Sequence, residues 1–279
     1  MRSRSRDPGV LLVPAVALLA VLFVLPLAWF FVGVFAEADG IADLADWFAT
    51  VLTSRAVVTA MITTNWISLL VTAITLLVGY PIAYYLATHT GWRFALVLFC
   101  IIVPYFTSVI VRTYSWMVLL GRNGIINQAL QSAGLIDAPL ALLYNKAGVL
   151  VGMTYVLMPY MILTLYAAMR GIDPSLTRAA YGLGAGRIYT FWRIYFPLSL
   201  HGVVSGSLIV FILAIGFFIT PALMGGPGDV MIAMLIERAV EITLDWMSAA
   251  IMALVLLAVT LVLYAFYYRF TDVRRMMGA

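Results

Sequence analysis

Charged residues make up only 10% of this 279-residue chain, cysteine occurs once and histidine twice, and Lys146 is the single lysine. Each scarcity removes a class of function. Lys146 is followed by Ala147 and no G-x-x-x-x-G-K-[ST] run exists, so the chain has no P-loop for nucleotide. His89 and His201 lie far apart, without cysteine or carboxylate companions at ligand spacing, which argues against a metal centre. Cys100 has no partner for an intrachain disulfide, and its place in an apolar run predicts a buried packing role. No nucleophile sits in a recognisable motif. The apolar runs also lack the chain of Asp, Glu and His that a proton-driven carrier uses, and the two halves show no obvious repeat. The chain reads as a non-enzyme, and any transport it performs draws energy from elsewhere.

What is present is apolar surface. Hydrophobic residues make up 65% of the chain and mean hydropathy is +1.07, which excludes an ordinary soluble domain. Six runs, at 10–35, 59–87, 94–120, 147–169, 202–224 and 246–268, are each long enough to cross a hydrocarbon core, for which about 20 apolar residues suffice. Their continuous rather than alternating character predicts an all-α membrane protein of six transmembrane helices, not a barrel. The first run is longer than a signal-peptide core and lacks a small-residue cleavage site, so it reads as a retained helix.

Charge bias sets the orientation. With the N-terminus inside, eleven of the sixteen Lys and Arg residues fall on the inner side and nine of the twelve acids on the outer side. The expected layout is N-in/C-in. A basic inner tail occupies 1–9 and the first span 10–36, and an acidic outer loop at 37–58 carries Trp47 and Phe48. The remaining spans and their loops fill 59–269, and an inner tail occupies 270–279. The net charge of +4 is then a topology signal and implies no nucleic-acid partner. Prolines 14, 26, 81 and 159 predict bends or weak points in their helices.

One inner segment, 170–201, is polar, basic and helix-patterned at once. Asp173 before Pro174 is a helix start, because the carboxylate can accept first-turn N–H groups and proline loses no bond there. Leu176, Ala179, Ala180 and Leu183 recur at helical spacing and predict one apolar face. Gly182, Gly184 and Gly186 interrupt the helix, and a second short amphipathic helix with Arg187 and Arg193 runs to Pro197, which closes it. Two readings fit this hairpin: an anchor on anionic headgroups, or a docking element for a soluble partner.

The run Arg178-Ala179-Ala180, then Gly184-Ala185 and later Phe196-Pro197-Leu198, resembles the EAA loop of inner-membrane permeases of binding-protein-dependent ABC importers. The family spacing is kept, with Arg178 where the family has an acid. The resemblance implies a type I importer permease fold with a cytoplasmic coupling helix between spans 4 and 5. It assigns Asp173, Arg178, Ala179, Ala180, Gly184, Ala185 and Pro197 to coupling with an ATPase. It further implies a second permease subunit, homologous but different, two ABC ATPases that hold ATP and Mg, and a periplasmic or lipid-anchored binding protein. The setting is a bacterial inner membrane, and this chain itself needs no cofactor.

Two intramembrane stretches point to the solute route. Pro104-Tyr105-Phe106 breaks the third span and Val111-Arg112-Thr113-Tyr114-Ser115-Trp116 follows. An arginine inside a span is expensive, so Arg112 must face protein, water or the headgroup boundary, whether as a snorkelling side chain or as part of a gate. Gly216-Phe217-Phe218-Ile219-Thr220-Pro221 and the glycines after it forbid a regular helix, which at membrane depth is tolerated only inside protein or along a cavity. Both stretches, with Gly121-Arg122-Asn123-Gly124-Ile125-Ile126-Asn127, look like the polyamine branch of that permease family. Phe217 and Ala222 stand where polyamine importers tend to have acids. Arg112, Tyr114, Trp116, Phe217, Phe218 and Pro221 are the expected pathway or gate residues, and the resemblance implies a small amine-type solute. An amino acid-like or organophosphonate solute, an ion-coupled secondary carrier and a non-transporting scaffold remain open alternatives.

Overall fold

A bilayer offers no water to unpaired backbone groups, so a chain this apolar must close its hydrogen bonds within each crossing segment, and helices do so. The computed structural model describes residues 13–270, with side chains to 265. The expected tail at 1–9 and residues 271–279 lie outside the described residues. The helices are α1 (Val13–Phe35), α2 (Ile41–Thr53), α3 (Arg55–Thr88), α4 (Trp92–Tyr105), α5 (Val109–Leu120) and α6 (Ile125–Ser132). There follow α7 (Lys146–Arg170), α8 (Pro174–Gly182), α9 (Arg187–Ile215), α10 (Ile219–Met224), α11 (Ile232–Arg238) and α12 (Trp246–Phe270).

Among the described residues, α1, α3, α7, α9 and α12 are each long and apolar enough to cross a membrane, and α4 with the helical run after it forms a sixth candidate bent by 104°. The bent pair lies against α7. Phe94 at the start of α4 meets Tyr166, and Tyr105 at its end meets Tyr160, with ring centroids 5.9 and 5.4 Å apart. After the bend, Arg112 and Tyr155 line one cavity and Trp116 lies 5.4 Å from Tyr155. Both limbs of the pair therefore pack on α7, and with the pair counted as one span the described residues hold the six candidate crossings expected.

The core is built on α3, α7 and α9. Ile67, Val71, Met153, Leu157, Met161 and Leu165 are buried in it. A smaller cluster joins α1 and α2 to α11 and α12 through Val34, Val51, Ile232 and Ile251. Gly152 is one position where only glycine fits: a Cβ there would lie 2.6 Å from Thr220 Cγ2 and 2.7 Å from Met224 Sδ. Its absence lets α10 seat against α7.

Several local expectations are corrected. The segment 37–58 is not a plain loop, because α2 occupies most of it and Phe48 packs on Phe35 at 5.9 Å. Pro81 and Pro159 lie inside unbroken helices. Each removes a single donor, and the packed neighbours hold the helix across the gap. Pro197 closes nothing: α9 runs through it as one helix of 29 residues. A π-turn at Phe191–Tyr195 precedes it, in which the Phe196 N–H bonds the Phe191 carbonyl. The same device precedes Pro26, with a π-turn at Ala20–Val24. The wider turn gives the proline ring room where a regular helix would crowd it. Cys100 is exposed rather than buried.

Candidate functional site

At the end of the molecule that carries Arg170, Arg178, Arg187 and Arg193, α7 turns into α8 and α8 into α9. Asp173 caps α8 as expected, its Oδ1 accepting the Ser175 N–H at 2.8 Å. Hydrogen bonds from Ser175 and, more weakly, the nearby Arg178 charge hold its carboxyl below the usual range. α8 ends at a Leu183–Gly184 turn in which Gly184 takes φ +84°, and the Ala185 N–H bonds back to the Ala180 carbonyl at 3.0 Å. Of the three glycines expected to break the helix, only Gly184 needs the left-handed region. Gly182 is the last residue of α8, and Gly186 precedes α9 with a negative φ of −70°.

The expected single apolar face does not form. Ala180 alone turns in, whereas Leu176, Arg178 and Ala179 are exposed and Leu183 is 89% exposed. Ile188, at 78%, and Trp192 extend the exposed apolar surface onto the start of α9. The second limb of the hairpin is thus no separate helix but the first turns of the fifth span. The turn joins α8 to a continuous helix that reaches Ile215.

Beside the middle of α7, α5 presents Arg112, which is only 8% exposed. It lines a small cavity of about 80 Å³ with Cys100, Pro104, Tyr155 and Pro159, and its Nε has no hydrogen-bond partner. Trp116, one turn on, stacks edge-on with Tyr155. Arg112 and Trp116 are therefore brought together around Tyr155, whose part the apolar run of α7 gave no sign of. Tyr114 points away and is 53% exposed.

The α10 segment stands next to this group. Gly216 to Phe218 break the fifth element as expected, and α10 re-forms for six residues. Pro221 is buried, Phe217 packs on the main core and Phe218 is partly exposed. Thr113 and Thr220 share a hydrogen bond of 3.0 Å, both side chains buried, which ties α5 to α10. Farther out, the Asn127 side chain accepts from the Leu140 N–H and donates to the Gly121 and Leu140 carbonyls, pinning the outer loop.

Five to six candidate crossings, a bent pair of helices beside a buried cation and an exposed elbow continuous with a long helix are the features of a multi-pass membrane protein. The chain belongs to the family described as binding-protein-dependent transport system inner membrane components, whose model matches residues 79–275. It is 33% identical over 202 residues to the spermidine/putrescine transport system permease protein PotB of Escherichia coli K12, covering 72% of this chain and 74% of that one. It is 30% identical over 182 residues to the molybdenum transport system permease protein ModB of Mycobacterium bovis, covering 64% and 66%. In fold it is similar to a chain of the bacterial alginate ABC transporter solved with a pentasaccharide-bound periplasmic protein, with a TM-score of 0.74, 18% identity and 97% and 95% of the two chains covered. The chain is accordingly an inner-membrane permease subunit and a transport component.

Proposed function

We propose that this permease conducts a small amine-type solute, of the polyamine class, in an ATP-driven importer. Identity of about a third to polyamine permeases, over nearly three quarters of the chain, is the observation that carries this reading. A periplasmic or lipid-anchored binding protein would deliver the solute, and a second, homologous permease would complete the pathway. Two ATPase subunits would bind ATP and Mg. The apolar residues left open at Leu183, Ile188 and Trp192 are a surface for such a subunit. Closure of the ATPases would then push α8, and α9 would carry the movement to the broken segment at Gly216–Phe218. Arg112, Trp116 and Tyr155, with Phe217, Phe218 and Pro221, would line or gate the route.

The test is uptake into proteoliposomes holding the whole complex, driven by ATP, with labelled spermidine or putrescine. ATP-dependent, binding-protein-dependent accumulation supports the reading. Transport by this chain alone under an ion gradient would replace it with a secondary carrier. One observation favours a second solute class: Arg112 is buried with no acid paired to it among the described residues. A solute bearing an anionic group, such as an organophosphonate or an amino acid-like compound, would supply that partner. Ligand screening of the cognate binding protein separates the two.

A further inference from the structure

The cavity of about 80 Å³ beside Arg112 is walled by α4, α5 and α7. Pro104 of α4 and Pro159 of α7 both line it, and so do Cys100 and Tyr155, the residues four positions before each proline. A proline has no N–H to offer the carbonyl four residues back. The Cys100 and Tyr155 carbonyls therefore lack their helical donors around one shared space. Apart from Arg112, no charged side chain lines it.

Arg112 is more than nine-tenths buried, and its guanidinium makes no hydrogen bond or ion pair among the described residues. Only Nε is closed in; the terminal Nη groups keep open space beside them, and the side chain lines the cavity. A buried charge without a counter-charge is strongly unfavourable, so this guanidinium calls for an anionic partner. An inorganic anion alone would lie against two bare carbonyl oxygens. An amine alone would meet the like charge of Arg112. A ligand that carries an anionic group and a primary ammonium close together satisfies both sides. Liquid water takes about 30 Å³ per molecule, so the cavity holds roughly two or three small groups. A carboxylate and an ammonium on one carbon are of that size.

The way out of the cavity is apolar. A groove of about 240 Å³ shares Tyr155 and Met158 with it and continues along Ile74, Leu150 and Val151 to Trp116. We infer that the cavity is a subsite for the head of an α-amino acid with an apolar side chain. The carboxylate takes parallel N–H bonds from Arg112, the ammonium donates to the Cys100 and Tyr155 carbonyls, and the side chain leaves past Tyr155 and Met158 into the groove. The assignment rests on the second of the two solute classes, the one bearing an anionic group, and adds to it the ammonium and the apolar side chain.

Cys100 is the one cysteine of the chain, is exposed and lines the cavity, so its modification reads occupancy directly. Two methanethiosulfonates of similar size, one bearing a sulfonate and one a trimethylammonium, are reacted with the purified full chain. Mass spectrometry follows each rate at Cys100, relative to free cysteine. The sulfonate should be favoured about tenfold, the lower end of what hydrogen bonds to a charged group are worth, and Arg112→Met should erase the preference. Equal relative rates in the parent would overturn the anionic reading itself, and the amino acid with it. Leucine should then protect Cys100 at concentrations about tenfold lower than 4-methylpentanoate, which lacks the ammonium, or 3-methylbutylamine, which lacks the carboxylate. A sulfonate preference without that advantage would keep an anion site and overturn the amino acid, as would protection by spermidine equal to that by leucine. Pro159→Ala returns an N–H to the Tyr155 carbonyl, so it should shrink the advantage of leucine over 4-methylpentanoate and spare the sulfonate preference, with a thermal melt to check the fold. An undiminished advantage in that variant would overturn the part given to the carbonyls.

Discussion

Replacing Gly184 separates the fold of the elbow from what docks on it. The residue sits at φ +84° with nothing within 4 Å of the position a Cβ would take. Alanine and tryptophan there suffer the same backbone penalty, about 1–2 kcal/mol for a side chain held in left-handed geometry. The Cβ that both add meets nothing in this chain. The strain alone shifts the closed turn towards open forms by roughly 5- to 30-fold, so both variants should lower the melting temperature slightly and to the same degree. They differ only outside the chain, because the indole occupies space that a docked ATPase would fill. In proteoliposomes, Gly184→Ala should keep most solute-stimulated ATP hydrolysis and uptake, whereas Gly184→Trp should lose the coupling between them. Equal coupling in the two variants would refute the docking role of this turn. A large stability gap between them would refute the open space around Gly184.

Arg112→Met removes a buried cation whose Nε is unpaired. Thermal stability should hold or rise, since an uncompensated charge is lost, while uptake falls, and Arg112→Lys should not restore it. Thr113→Val leaves the fully buried Thr220 hydroxyl without its partner and should cost about 1–3 kcal/mol; adding Thr220→Val should recover part of that in a thermal melt. The pH response follows from Asp173, whose carboxyl is held below the usual range near 3.9. A depressed folded value means that the cap's contribution is complete above the unfolded value and lost as pH falls through the folded one. Coupled ATPase activity should therefore show no Asp173-dependent step between pH 5 and 8, and Asp173→Asn should behave like the parent across that range.

Much of this architecture could be read from the chain alone, for reasons that lie in the bilayer. The spans announce themselves because nothing but a helix closes its hydrogen bonds in hydrocarbon, and the break at Gly216–Phe218 follows from glycine in a place no helix former could rescue. Prolines misled, because one missing donor is a small defect inside a packed helix. Pro159 is simply buried within α7, and Pro197 is accommodated by a π-turn that composition does not reveal. The cap at Asp173 was legible as local chemistry. The exposure of Leu183 and Ile188 was not, since helical spacing says which residues share a face but not whether that face meets this chain or another. Tyr155 stayed hidden for a similar reason: it stands in an apolar run, and only the meeting of α7 with α5 gives it a role.

The most direct test of the account is what copurifies with the tagged chain from gentle detergent, with and without residues 176–192. The account predicts an ATPase bearing a P-loop that is present with the intact chain and lost on deletion, the deleted chain keeping its helical content. A chain that purifies alone at near-native expression, or one whose ATPase remains after the deletion, would contradict it.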